Sequence, residues 1–445
     1  MPGLIDCNPI TRYKSKAPAL NRTDAKSIVA LIGEAAMDSK TVVADTEEEA
    51  AFRAKARAWL AQNGAEYAEP PAVAWEEDEL VERAKAWQRK KAAAGYAAIA
   101  APTSVGGAGL SPRMAAIFSQ EEGRYHTPFY IGQSIGLNMA MAVIGKHGTP
   151  EQFQRFMTPT VAGDVSWCQL FSEPGAGSDL AGLRTRAVRQ GDNWVLNGQK
   201  VWSSWAHRAG YGILLARSNG AVPKHEGLTF FVVDMNTRGV EVRPIRQITG
   251  KADFNETFFT DAVIPDANRI GAEGEGWACA MTVLSVERNQ SGGGATGSQV
   301  RAMIELAART PRGSGVALDS AAVRAKLAQW YVEEQGLKNF GKRVQSMLAA
   351  GEPPPATLSM MKLVSATKLQ QTQAFMMDLR EYDGLFDEPA EMEDDDVFYQ
   401  YLWSAALRIA GGADEILRNQ LAERALGMPQ DIRLDKGVPF DKLPS

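Results

Sequence analysis

Three parts of this chain carry residue types whose spacing could do chemistry. The first is Leu170-Phe-Ser-Glu-Pro-Gly-Ala-Gly-Ser-Asp179, where Pro174 fixes the approach, Gly175 and Gly177 leave the main chain bare, and Ser178 adds a hydroxyl. Such a loop lets main-chain N–H groups come close to a phosphate or a flavin edge, which β-carbons would hold off. The second is Trp194-Val-Leu-Asn-Gly-Gln-Lys-Val-Trp-Ser-Ser204. Asn197-Gly198 between two short apolar strands signals a hairpin, and the returning strand ends in an aromatic plane, Trp202, beside the hydroxyls of Ser203 and Ser204. The third is Glu287, which continues the helical stripe Trp277, Met281, Leu284. A carboxylate on the apolar side of a helix is costly unless it is paired or used. On periodicity alone an ion pair is the better account of Glu287. Taken singly, a glycine-rich turn is only a turn and a tryptophan at a strand end is a core residue.

The elements that must position these residues follow an α–β–α order. Residues 1–45 lack sustained periodicity and read as an N-terminal extension. Thr46-Glu-Glu-Glu49 reads as a capping box opening a helix with Phe52, Ala56, Trp59 and Leu60 on one face. Helical patterns continue over 75–93, 112–123, 130–147 and 151–161, giving an N-terminal helical domain over 46–165. Strand candidates then follow at 167–171, 183–188, 194–196, 199–203, 212–216, 228–233, 240–246 and 256–263. They are short, separated by Gly, Asn and Asp turns, and suggest a small barrel or sandwich over 166–276. From Trp277 the helical period returns as a C-terminal helical bundle, 277–445, with a stop at Gly427 and Pro429. Gly292-Gly-Gly294-Ala-Thr-Gly297 spells a dinucleotide motif but follows a helical pattern, so close helix packing accounts for it better. The acidic run 391–396 reads as solvated, and residues 310–317 as an exposed connection.

Composition narrows the function classes. A chain of 445 residues suits two or three packed units, and it contains no apolar run long enough to span a bilayer. A net charge of −5 argues against a nucleic-acid footprint. Cys7, Cys168 and Cys279 are scattered and odd in number, which fits a reducing compartment. With no secretory pattern at the N-terminus, the cytoplasm is the expected location. His126, His147, His207 and His225 lack ligand spacing, so metal catalysis is not expected.

The loop, the Trp194–Ser204 segment, Gly250–Gly276 and Gly411-Gly412-Ala413-Asp414-Glu415-Ile416 occur in the order seen in the acyl-CoA dehydrogenases, and from about Thr46 onward the chain resembles that family. The resemblance implies an α+β fold of three parts: an N-terminal helical domain, a middle β-barrel or sandwich, and a C-terminal four-helix bundle. It implies FAD as cofactor, since no side chain accepts a hydride well, with an acyl-CoA substrate desaturated to a trans-2-enoyl-CoA. An electron-transfer flavoprotein and an oligomeric assembly are the implied partners. The base should be a carboxylate made more basic when substrate expels water. Family members place it at one of two positions, and the second maps to Gly411, so Glu287 is the implied base. Arg288 would contact CoA. Ser178 and the loop amides would meet the flavin pyrophosphate or the thioester, with Phe171, Ser172 and Gly177 around the cofactor. Trp202 would pack on the isoalloxazine, with Ser203 or Ser204 at its N5 edge. The amide of Gly411 would polarise the thioester carbonyl, and Gly412, Ala413 and Glu415 would lie near the flavin.

Departures from the family pattern accompany these matches. Ala413 stands where a threonine is usual, and Arg309-Thr-Pro-Arg-Gly-Ser-Gly-Val316 lacks the Phe-Gly that many members contribute to a neighbour's FAD. In bacterial relatives acting on steroid side chains such losses accompany mixed tetramers, and this chain resembles the base-bearing kind. Val201–Ser204 and Gly250–Gly271 resemble members handling bulky or branched acyl groups. Two alternatives stand beside this reading: a flavin monooxygenase of the same superfamily, and a non-catalytic partner subunit.

Overall fold

Thr46 accepts from the amide of Glu49 and Glu49 accepts from the amide of Thr46, so a reciprocal capping box opens the first helix, α1 (Glu47–Asn63). The computed structural model describes residues 45–443 other than 72, 74, 292–298, 350–355, 381–396 and 431. The extension expected before Asp45, the Gly292–Gly297 segment and the acidic run lie outside the described residues. Ala56 and Leu60 of α1 are fully buried and pack with Trp87 and Phe118, which come from α2 (Glu77–Ala93) and α3 (Pro112–Glu122). Next, Ile131–Ser134, a π-helical stretch Ile135–Ala140 and Met141–His147 run on as one helix, α4, followed by α5 (Pro150–Ala162). At the π-stretch a Cβ on Gly136 would meet the Trp167 ring at 2.4 Å. Only glycine lets the helix and the first strand approach this closely.

That first strand, β1 (Trp167–Leu170), belongs to a sheet with β2 (Arg186–Gln190), β3 (Asn193–Ser204), β4 (Tyr211–Arg217), β5 (Leu228–Asp234), β6 (Val240–Ile245), β7 (Phe254–Pro265) and β8 (Arg269–Ile270). The order is β6-β7-β3-β2-β4-β5-β8, with β1 parallel to β4. β4 and β5 are buried on both faces. Ile213, Leu215, Phe230 and Val232 join the core shared with α4 and α5, whereas Leu214, Ala216, Phe231 and Val233 fill a second core on the opposite face. This explains why both strands read as continuous apolar runs rather than alternating ones.

The hairpin expected at Asn197-Gly198 is not there. β3 runs straight through both residues, pairing with β7 from Asn193↔Pro265 to Ser204↔Phe254 with a register shift between Leu196 and Gly198. The Asn197 side chain exchanges hydrogen bonds with Asp261 across that shift, so the dipeptide forms a bulge. Glycine is required at 198 because a Cβ would meet Thr185 at 2.6 Å. The turn sits instead at Gly191-Asp192, between the paired residues Gln190 and Asn193, with Gly191 at φ 60°.

Beyond the sheet come α6 (Gly276–Ser291), α7 (Gln299–Arg309), a small hairpin of β9 (Pro311–Arg312) and β10 (Gly315–Val316), then α8 (Ala321–Ala349), α9 (Ser359–Arg380), α10 (Val397–Ser404) and α11 (Asp414–Arg424). A helix, not a strand, precedes residue 292, which agrees with setting aside the dinucleotide spelling. The chain then returns to the sheet: Phe440 and Asp441 donate to the carbonyls of Val222 and Gly220, and the Arg217 guanidinium lies 3.5 Å over the Phe440 ring.

Candidate active site

Lys200 organises the loop that follows β1. Strand alternation turns its side chain inward, where it is fully buried, and its Nζ donates to the Phe171 carbonyl at 2.9 Å and to Glu173 Oε1 at 2.8 Å. Glu173 also accepts from the amides of Arg184 and Thr185 at 2.6 and 2.9 Å. Burial pushes the Lys200 ammonium down to about 8 despite the carboxylate beside it. Burial also raises the Glu173 carboxyl, but Lys200 and the Thr185 and Arg184 donors outweigh it and hold it below the usual carboxylate range. Val201 N donates to Ser172 O at 2.9 Å, stitching the loop to β3. Phe171 itself is core, its ring edge-on to Phe230 at 5.9 Å, so only its main chain is left for a cofactor.

Past Glu173 the loop opens outward. Pro174, Gly175, Gly177 and Ser178 are exposed. Neither Gly175 nor Gly177 sits at positive φ, and a Cβ on either would meet nothing within 4 Å. Neither backbone strain nor packing within the chain therefore explains these glycines, and bare main chain facing open space fits a group bound from outside. A cavity of about 260 Å³ adjoins the loop, walled by Pro174, Gly175, Ala176, Arg184, Thr185 and Gln199. Lys224 donates to both carboxylate oxygens of Asp179 at 2.9 Å and pairs with Asp435 at 2.5 Å, tying the loop's far end to the returning tail.

At the end of β3 a second register shift, between Lys200 and Ser203, puts Trp202 at φ 61° with 57 % of its surface exposed and its ring edge against Phe254 at 6.1 Å. The shift separates the two serines. Ser203 is fully buried, and its Oγ has no hydrogen-bond partner among the described residues. Ser204, the other hydroxyl at this strand end, is half-buried.

Glu287 lies on α6. The fully buried face of that helix is Cys279, Ala280 and Val283, with Trp277, Leu284 and Val286 packed on its shoulders. The expected stripe is thus the flank of the true one, and Glu287 stands one turn beyond Val283. Its carboxylate is half-buried and accepts from Gln169 Nε2 at 3.4 Å. Gln169 is a lone amide in the apolar strand β1, one residue before Leu170. Arg288 follows on the same helix, its side chain outside the described residues.

The C-terminal turn is built differently. Gly411 and Gly412 are at φ 66° and 101°, and Ala413 is the N-cap of α11, with Glu415 exposed in its first turn. Lys362 of α9 donates to Gly412 O at 2.6 Å and lies 3.6 Å from buried Asp414, which also pairs with Arg408. These bonds tie the turn to the bundle. The described contacts therefore link Glu287 to β1 through Gln169 and the loop to the Trp202 strand through Ser172, and fix the Gly411–Glu415 turn separately. Gln169 and Lys200 have no counterpart in the sequence reading. The available signal was one polar residue in each otherwise strand-like apolar stretch.

Among the described residues no three His, Cys, Asp or Glu side chains could hold a metal ion, and no helix is long and apolar enough to cross a membrane. The described cysteines, Cys168 and Cys279, are buried and reduced. Family models of acyl-CoA dehydrogenases match the chain three times: the N-terminal domain over residues 46–164, the middle domain over 168–262 and the C-terminal domain over 274–426. The acyl-CoA dehydrogenase IpdE1 of Mycobacterium tuberculosis is 35% identical over 401 residues, 87% of this chain and 99% of that protein. The acyl-CoA dehydrogenase FadE34 of the same organism is 40% identical over 292 residues, 65% of this chain, and the match spans 39% of that longer protein. Among solved structures, the ChsE4-ChsE5 complex from Mycobacterium tuberculosis superposes with a TM-score of 0.70 at 27% identity, covering 88% of this chain and 100% of the matched one.

Proposed function

The chain belongs to the acyl-CoA dehydrogenase family, and from that membership we propose that it is an FAD-dependent enzyme oxidising the α,β-carbon bond of an acyl-CoA thioester to a trans-2-enoyl-CoA. When bound, FAD supplies the hydride acceptor that the side chains lack. Glu287 takes the α-proton. Gln169 holds one of its oxygens, and Leu284 and Val286 keep water from one side of it. The exposed amides from Gly175 to Ser178 hold the pyrophosphate or the thioester, Trp202 supports the ring, and Ser204 donates to its edge. The amide of Gly411 polarises the thioester carbonyl, Gly412, Ala413 and Glu415 lie near the cofactor, and Arg288 contacts CoA. An electron-transfer flavoprotein is the partner that accepts the electrons.

One observation carries this reading. Both the Glu287 carboxylate and the Trp202 strand are tied to the four residues Gln169–Ser172, the first through Gln169 and the second through Ser172. A candidate base and a candidate ring platform therefore flank one loop. The test is anaerobic titration of the purified protein with a panel of acyl-CoAs while flavin bleaching is followed, repeated in E287Q. The wild type should bleach, and E287Q should lose turnover by about 10²–10⁴-fold, the range of a positioned base. An E287Q protein that still bleaches at the wild-type rate would remove Glu287 from the chemistry.

The substrate we favour is a bulky or branched acyl group, a steroid side chain among them, on the resemblance of Val201–Ser204 and Gly250–Gly271. A mixed assembly, with this chain bringing the base, accords with the missing Phe-Gly and with the two-protein ChsE4-ChsE5 neighbour. A homotetramer that retains FAD in full stoichiometry when expressed alone would contradict it.

A further inference from the structure

The residues just past Ser204 form a hydrogen-bond chain whose donors and acceptors can be assigned. Asn255, on β7 opposite Ser203, is fully buried, and its Nδ2 lies 2.9 Å from the Ser203 carbonyl oxygen. A carbonyl can only accept, so the amide nitrogen must face it and the Asn255 Oδ1 must face the other way. There it meets His207 Nδ1 at 3.0 Å. Two lone pairs cannot share that contact, so Nδ1 carries a hydrogen. The opposite ring nitrogen, Nε2, lies 2.8 Å from Glu77 Oε1 at the start of α2. The same oxygen accepts from Arg208 Nε at 2.7 Å, a guanidinium that can only donate. Glu77 is therefore a carboxylate, and Nε2 must carry a hydrogen as well.

We propose that His207 is a positioning residue: an imidazolium that donates from both ring nitrogens, to Asn255 and to Glu77, and so fixes the strand end presenting Trp202 and Ser204. Either neutral tautomer would set two acceptors against each other, in one case against the amide oxygen of fully buried Asn255. The surroundings balance the charge. Arg208 donates to the same Glu77 oxygen at 2.7 Å and to Asp78 at 2.5 Å, so two cations face two carboxylates. Trp205, at φ 53°, stacks on the imidazole at 5.9 Å and an angle of 22°, and meets Tyr130 edge-on at 5.2 Å. Tyr130 and Ser166 donate to the Arg208 carbonyl at 3.5 and 2.9 Å, which closes the far side. The segment from Trp202 to Arg208 is thereby anchored to the N-terminal helical domain as well as to β7. That it faces a flavin rests on the function proposed above, whereas the protonation of His207 does not.

The test uses the full chain labelled with ¹⁵N-histidine, in which only four histidines report and H207Q assigns the signal. Both ring nitrogens of His207 should appear as N–H, and a bare ring nitrogen would overturn the proposal. In E77Q the carboxamide can donate to Nε2, so the ring should revert to a single proton; unchanged double protonation would remove Glu77 from the assignment. H207A should retain FAD about tenfold more weakly, equivalent to about 1.4 kcal/mol, with an altered flavin absorption envelope. Unaltered retention and spectrum would leave His207 merely structural. Failure of the dehydrogenase reading would show instead as turnover surviving in E287Q, with the nitrogen spectrum untouched.

Discussion

Two glycine-bearing turns, Glu173–Ser178 and Gly411–Ala413, are each held by a buried lysine and a carboxylate, yet their glycines have opposite explanations. At the first, Lys200 and Glu173 pin the base of the loop from inside the sheet, and Gly175 and Gly177 have ordinary backbone angles with open space beside them. At the second, Lys362 and Asp414 hold a turn whose glycines sit at φ 66° and 101°, where a side chain is strained. The C-terminal glycines serve the fold. Those of the loop are explained by neither strain nor packing among the described residues, and they face open space.

Removing the lysines should give the largest contrast. Lys200 is the only ammonium that the described contacts give to Glu173, whereas Asp414 keeps Arg408 when Lys362 is gone. Breaking a buried pair by deleting one partner costs about 3–5 kcal/mol, and K200M should lose that much in denaturant unfolding. K362M should lose about 1 kcal/mol, the worth of an ordinary hydrogen bond, because Gly412 is exposed and its carbonyl can turn to water. Equal losses would mean that the two lysines are not doing different jobs.

Alanine at the glycines separates fold from ligand. G411A and G412A should destabilise by about 1–2 kcal/mol each, the cost of left-handed backbone for a residue with a Cβ. G175A and G177A should leave Tm unchanged or raise stability by up to about 1 kcal/mol through the unfolded chain, while FAD retention falls. If G175A lowers Tm as G412A does, the loop glycines have a structural role and the inference from open space fails.

What the sequence disclosed follows the range of the forces involved. The Thr46–Glu49 box spans three residues and was legible, as were the loop and the α–β–α order, because each rests on local pattern. Asn197-Gly198 misled for the same reason: its local preference for a turn yields to pairing with all of β7, set by residues about sixty positions away. A lysine in a strand reads as solvent-facing, and nothing local marks Glu173 as the partner of Lys200. Likewise His207 meets Asn255 and Glu77 from 48 and 130 residues away. Glu287 was legible as a misplaced carboxylate, but Gln169 facing it required the fold.

The smallest contrast is in acid. Glu173 is held below the ordinary carboxylate range, so the folded state binds its proton more weakly than the unfolded chain does. Its contribution is present at neutral pH and is lost as pH falls through the folded value. Without the Lys200 ammonium the carboxyl loses its main counterweight to burial, so in K200M the acid unfolding midpoint should move to higher pH. Each unit of pKa difference erased is worth about 1.4 kcal/mol. Lys200 has the same sign at the alkaline end: burial lowers it to about 8 from an ordinary 10.5, so stability again rises with pH between those values, and K200M should lack that rise. K362M leaves the Lys200–Glu173 pair intact, so its acid midpoint should stay nearer to the wild type. Tryptophan fluorescence followed across both pH limbs reads all three proteins. Coincident acid limbs for wild type and K200M would show that the Glu173 carboxylate draws its stabilisation from the Arg184 and Thr185 amides rather than from Lys200, and the loop would then be pinned by main chain alone.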